Sequence, residues 1–376
     1  MPAFDAFRYA HDRYHEVAWL SQNTNHLVPP SVIEGAIQQA LREHRYEGYP
    51  FASGLPELKS LVLGDLGFPA GSPCLVTAGG TESLYMSARA LLSPGDEVIA
   101  SDPSYLIIHR FIELSGARTV NLPIYSAPWR LTADRVNEAV TDKTRMILLI
   151  DPLNPLGSGY PESEVRAIAE IAHDRHLLLL NDVTYRDFAE THTLAARFAP
   201  EETLTVWSVS KNCGLAGMRL GGVCAPTEMS QKIGRYNTND LGVNIFAQVA
   251  AVAALRTKKE WFPTVRAQSR KNQEAIRSAV AQVPDTHLLV FPSQANMFVI
   301  DIEKTGIAPE ALQRELLERH QVFVRAGDYL SPKFGGRFVR LSFSNPPKDV
   351  ARFVEAFPLA IAALRKGRPV EAPARS

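Results

Sequence analysis

Cysteine is scarce: there are three among 376 residues, Cys74, Cys213 and Cys224. An odd number without metal-ligand spacing excludes a disulfide framework and points to a reducing cytoplasm. Net charge is absent as well. Forty Lys and Arg balance forty Asp and Glu, which argues against a nucleic-acid binder driven by phosphate neutralisation. No run of 18 apolar residues occurs, and Met1 to Leu20 is crowded with charge and histidine. Neither a membrane span nor a secretory leader is therefore expected. Gly-x-Gly-x-x-Gly and Gly-x-x-x-x-Gly-Lys-Ser/Thr are both missing, so dinucleotide and P-loop chemistry are disfavoured. His173 and His176 lie three apart near the end of an expected helix, where positive charge suits the helix dipole better than a metal. No metal is expected.

What remains is an ordinary globular composition, 45% hydrophobic and 21% charged, on a chain long enough for two lobes. Its most informative stretch runs from Trp207 to Gly222. The apolar run Leu204–Trp207 reads as a buried strand. Ser208, Ser210, Lys211, Gly214, Gly217, Arg219, Gly221 and Gly222 follow. Glycine lets the backbone approach a ligand closely, and the hydroxyls, ammonium and guanidinium all donate hydrogen bonds. Such a cluster at a strand end suits an anion. A lysine beside apolar chain can also lose its proton and become a nucleophile. A polar turn with a solvated lysine would use the same letters.

Around this stretch short apolar strands alternate with helices. Strands are expected at 74–77, 97–100, 119–122, 146–150, 177–180, 204–207 and 221–225, and helices at 82–92, 107–115 and 162–173. That rhythm predicts an α/β fold with a mostly parallel sheet covered on both faces. Helices are also expected at 31–44 and 55–66. Beyond Pro226 come helices near 248–255, 266–283, 309–320 and 350–364. Strands fall at 288–291, 298–302, 322–324 and 338–343, together an α+β lobe. Met1 to His26 reads as a polar, aromatic-rich lead, and Glu371–Ser376 as a frayed tail.

The unusual residues fall at or just after strand ends. Gly80, Thr81, Tyr105, Asn154, Asp182, Tyr185 and Lys211 all do so, and in a parallel sheet those ends share one edge. Each alone has a plain structural reading as a turn, core or surface residue. Asp182 is the exception, because a carboxylate ending a buried run of leucines needs a partner. Together they suit an aromatic cation carrying a phosphate. Ser208, Ser210, Arg219 and the amides of a helix start would hold the phosphate. Asp182 would face a ring nitrogen, Tyr185 and Asn154 a phenolate oxygen, Tyr105 the ring face, and Lys211 the imine carbon. Pyridoxal phosphate needs those parts.

The chain resembles the fold-type I, class I/II aminotransferases over nearly its whole length. The resemblance is carried by Ser208-Val209-Ser210-Lys211 with Gly214, Gly217 and Arg219, by Asn154-Pro155, by Asp182 and Tyr185, by Thr77–Glu82, and by Tyr49–Lys59. It implies a seven-stranded, mostly parallel large domain at 45–270. A smaller α+β domain would be built from both ends of the chain, the segment 1–44 with 271–376. It implies Lys211 as Schiff-base lysine and proton carrier, with Asp182 and Tyr105 as its catalytic companions. Arg340 would fork the substrate α-carboxylate, with Arg325 and Arg337 as competitors for that role and Asn154 beside it. The resemblance implies a homodimer in which Tyr49 completes the other subunit's site, with an L-amino acid and a 2-oxo acid as substrates. The chain departs from the family pattern at Asp151, Leu156 and Val183. It departs again at Ser21–His26, where relatives carry a glycine-proline stretch and Asn23 would overlie the carboxylate. Asn23, Asn25 and His26 would favour a polar substrate side chain, or only fix the loop. A lyase, decarboxylase or cyclase on the same fold and cofactor stays open, as does a regulator that holds the cofactor without turnover.

Overall fold

The computed structural model describes residues 4–366; the tail expected to fray, Glu371–Ser376, lies outside the described residues. The strands in chain order are β1 (Ala18–Trp19), β2 (Cys74–Thr77), β3 (Glu97–Asp102), β4 (Arg118–Pro123), β5 (Thr144–Ile150), β6 (Leu178–Asp182) and β7 (Thr203–Ser208). They continue with β8 (Gly221–Cys224), β9 (His287–Leu288), β10 (Met297–Asp301), β11 (Val322–Phe323), β12 (Arg325–Ala326) and β13 (Phe338–Ser342).

Seven of them form the large sheet in the order β2-β8-β7-β6-β5-β3-β4. All neighbours are parallel except β8, which runs against both β2 and β7. Every residue of β3, β6 and β7 is buried, as expected of strands packed on both faces. Successive side chains serve opposite cores. Val206 joins one apolar cluster with Leu84, Ile99 and Ile147, while Trp207 joins the other with Leu58, Val62 and Ala250. Leu156 and Val183, two of the departures from the family pattern, are buried apolar packing in these cores.

The strand order reverses between β3 and β5. In open α/β sheets that is where ligands sit, beyond the carboxyl ends of the strands. The helix Gly80–Leu91 begins three residues after the end of β2, through Gly79 at φ 94°. A side chain at Gly79 would lie 2.7 Å from the Arg219 guanidinium, so glycine alone lets this helix start close to Arg219.

A second, antiparallel sheet, β12-β13-β10-β9, shares a core with the helices Lys258–Ala281, Pro309–His320 and Pro347–Lys366 through Ile276, Leu312, Phe353 and Phe357. Several local expectations change here. The helix expected from Arg266 begins at Lys258 and runs unbroken past residue 270. Pairing of the strand expected at 288–291 stops at Leu288. The strand expected at 322–324 is β11, which pairs in parallel with β1, and past Val324 the unexpected β12 pairs with β13 in the other sheet. The N-terminal lead is not irregular throughout. Asp5 caps a helix over Ala6–His11, accepting from the Arg8 amide at 3.0 Å, and β1 follows. The pairing of Ala18 with Val322 delivers Leu20–His26 to the end of β13, where the Ser342 amide donates to the Leu20 carbonyl at 2.7 Å and the His26 amide to that of Ser344 at 2.8 Å.

Candidate active site

The carboxyl ends of β2, β3, β5, β6 and β7 surround one cavity of about 260 Å³, against the ~10–15 Å³ that a single water needs. Its wall contains Gly80, Thr81, Tyr105, Asn154, Asp182, Tyr185, Ser208, Ser210, Lys211, Arg219, Arg340 and Asn23. Tyr49 is not among them; it is 81% exposed. Phe7, Ser21, Gln22, Arg325 and Tyr329 line the cavity too. Three guanidinium groups, Arg219, Arg325 and Arg340, together with the Lys211 amine, face one carboxylate, Asp182, so the space is set for anions.

Lys211 follows β7 by three residues, and its Nζ donates to the Gln22 carbonyl at 2.9 Å. Its amine is pushed down to about 7, first by burial and then by Arg340 and Arg219, against an opposing pull from Asp182. An amine at that point is an effective nucleophile and base near neutrality.

Asp182 ends β6. Burial pushes its carboxyl above the usual range, while the Thr184 amide (3.0 Å) and hydroxyl (2.6 Å), both donating to Oδ1, and the Lys211 charge act the other way. Oδ2 accepts no hydrogen bond among the described residues. The partner that Asp182 needs is thus only half supplied by the protein.

At the other end of the cavity the Ser208 hydroxyl donates to Ser210 Oγ at 2.9 Å and accepts from the Ser210 amide at 3.1 Å. The Arg219 backbone is left-handed, φ 56°, and its Nη1 donates to the Ala216 carbonyl at 2.8 Å. With Thr81 and the first turn of the helix Gly80–Leu91, these groups make a cradle of donors at a helix N-terminus. A side chain on Gly221 would strike the Gly80 amide nitrogen. Tyr105 stands beside them, its hydroxyl 3.4 Å from that of Thr81.

Arg340, in the middle of β13, is buried. Its Nη1 donates to Asn154 Oδ1 at 2.9 Å and its Nη2 to the Ser21 carbonyl at 2.7 Å, while Nε is buried with no partner among the described residues. Asn23 is buried at φ 53°. It donates to the Tyr185 hydroxyl at 3.2 Å, and its Oδ1 has no partner among the described residues. Two other loop residues do not reach the cavity. Asn25 donates to the Asn212 carbonyl at 3.0 Å, and the exposed His26 pairs with the Thr24 hydroxyl at 2.6 Å. Both fix the loop, so the argument that they would favour a polar substrate falls away. Arg337 is also excluded as the carboxylate residue, because it pairs with Glu303 at the surface.

Three comparisons bear on this geometry. The profile of the family described as aminotransferase class I and II matches residues 15–357. The chain is 28% identical to the aspartate aminotransferase of Pyrococcus horikoshii, over 84% of this chain and 83% of that one. It is 30% identical to the arginine–pyruvate transaminase of Pseudomonas aeruginosa, over 74% and 72% of the two chains. In three dimensions it superposes on an aminotransferase from Mycobacterium tuberculosis with a TM-score of 0.84, at 21% identity and 96% coverage of both chains. The chain belongs to the class I and II aminotransferases, enzymes that transfer amino groups.

Proposed function

We propose that this aminotransferase binds pyridoxal 5'-phosphate in the cavity, attaches it through Lys211, and exchanges an amino group between an L-amino acid and a 2-oxo acid. One observation carries the reading above the others: a lysine amine held near 7 lies in one cavity with a buried carboxylate and an anion cradle.

The residues present suit the cofactor. Ser208, Ser210, Thr81, Arg219 and the amides after Gly79 match a phosphate. The free Oδ2 of Asp182 matches a protonated ring nitrogen, which would lower the raised carboxyl. Asn154 and Tyr185 match a phenolate oxygen, and the Tyr105 ring suits one ring face. When bound, pyridoxal phosphate supplies an electron sink for the charge left by breaking the substrate Cα–H bond. Lys211 takes and returns that proton, since an amine near 7 holds and releases protons with similar ease at neutral pH. Arg340 orients the substrate by its α-carboxylate, with the unpartnered Nε as a donor held in reserve. Asn23 borders both regions through Tyr185.

The same reading gives Tyr49 to the other subunit of a homodimer, where its exposure in the single chain is accounted for. It divides the chain at about residues 44 and 270, and places the enzyme in the cytoplasm. Among the described residues no helix is long and apolar enough to cross a membrane.

The test is a panel of amino acids added one at a time to the cofactor-loaded protein with no acceptor present. Stoichiometric 2-oxo acid without release of ammonia or carbon dioxide is the expected result. Ammonia or carbon dioxide in its place overturns the reading.

A further inference from the structure

We propose that Arg325 is a second carboxylate-binding residue, which selects dicarboxylic substrates by taking the side-chain carboxylate while Arg340 takes the α-carboxylate. This rests on the reading of the cavity given above.

Arg325 and Arg340 are cross-strand partners in the pairing of β12 with β13. Directly opposite residues of an antiparallel pair project from the same face with Cβ atoms ~4.5–5.5 Å apart, and like charges in that position are destabilising. Both side chains line the cavity. The juxtaposition is thus unfavourable until an anion enters.

The other three basic side chains already have protein partners. Lys211 donates to the Gln22 carbonyl, Arg219 to that of Ala216, and Arg340 to Asn154 and Ser21. The Arg325 side chain has no hydrogen bond and no ion pair among the described residues. Asp328, three positions on, is exposed and forms no ion pair with it. Arg325 is held instead by rings, with its guanidinium carbon 3.8 Å from the Tyr329 centroid and 4.6 Å from that of Phe7. Ring stacking uses the face of a guanidinium and leaves its in-plane N–H donors free. That is a positioned, unspent fork, and carboxylate is the group a fork fits. The α-carboxylate is provided for by Arg340, so the group left for Arg325 is a second carboxylate on the same substrate.

The test uses the cofactor-loaded enzyme and unreactive probes: glutarate and succinate, each against the monocarboxylate of equal chain length, pentanoate and butanoate. Calorimetry on the wild type should show at least one dicarboxylate binding ~10-fold or more tighter than its monocarboxylate. Arg325→Gln should remove that ratio while keeping monocarboxylate affinity within about threefold, because a charge-assisted pair is worth ~10- to 10²-fold. In turnover, the preference for glutamate or aspartate over glutamine or asparagine should fall by the same factor. Arg325→Lys, which keeps the charge and loses the fork, should lie between and guards against a glutamine variant that misfolds. If Arg325→Gln weakens mono- and dicarboxylates alike, both arginines hold one carboxylate and the proposal is overturned. Unchanged binding of every probe makes the ring stack structural and overturns it too. Failure of the underlying reading looks different: the wild type itself would bind no cofactor and transfer no amino group.

Discussion

The ionisation of Lys211 can be measured without cofactor or turnover. An ordinary lysine titrates at 10.5, and burial with Arg340 and Arg219 brings Lys211 to about 7. At pH ~7.5 the neutral fraction therefore rises from ~10⁻³ to ~0.8, a gain of nearly 10³ in reactive amine. The sign is fixed by the direction of the shift. The amine is neutral above about 7 and is lost tenfold per pH unit below it. Brief exposure of the cofactor-free protein to acetic anhydride across a pH series, followed by peptide mass analysis, gives the acetylation profile of each lysine. The Lys211 profile should level off just above pH ~7, while exposed lysines climb toward pH ~10. Arg340→Gln should move the Lys211 inflection upward, since Arg340 is the largest of the charges that hold the amine neutral. A Lys211 profile that follows the exposed lysines would refute the electrostatic account of the site.

Two further outcomes are expected, one from the Asp182 geometry and one from the proposed dimer. Asp182→Asn keeps the hydrogen-bonding shape and removes the charge, so kcat should drop by at least ~10² with cofactor still bound in absorbance titrations; near-normal turnover places the ring-nitrogen partner elsewhere. Tyr49→Phe should weaken cofactor binding ~10-fold in a particle that sizes as a dimer, and a fully active monomer at low concentration contradicts the shared site.

The parts of this site legible in the sequence are those carried by buried strands. Runs such as Met146–Ile150 and Leu178–Leu180 announce themselves as apolar stretches, and a parallel sheet brings whatever ends them to one edge. Hence Asn154, Asp182, Tyr185 and Lys211 could be grouped before any coordinates. What stayed hidden depends on pairing between distant segments. β1 and β12 are two residues each, too short for periodicity to register. The switch of sheets after Val324 turns on contacts with Ala18 and Arg340, which no local pattern encodes. Arg325 could be noted as a competitor for a carboxylate but not recognised as a neighbour of Arg340, because that fact lies in the register of β12 on β13. The loop at Asn23–His26 is open in the sequence to two readings, substrate contact or loop fixation: Asn23 lines the cavity, while Asn25 and His26 point their bonding groups at the Asn212 carbonyl and the Thr24 hydroxyl.

The attachment of cofactor to Lys211 is tested most directly by chemical fixation. The protein is loaded with pyridoxal phosphate, reduced with borohydride, digested and mapped by mass spectrometry. The account predicts the reduced cofactor on Lys211 and its loss in Lys211→Ala. Label on another lysine, or label that persists in Lys211→Ala, contradicts it.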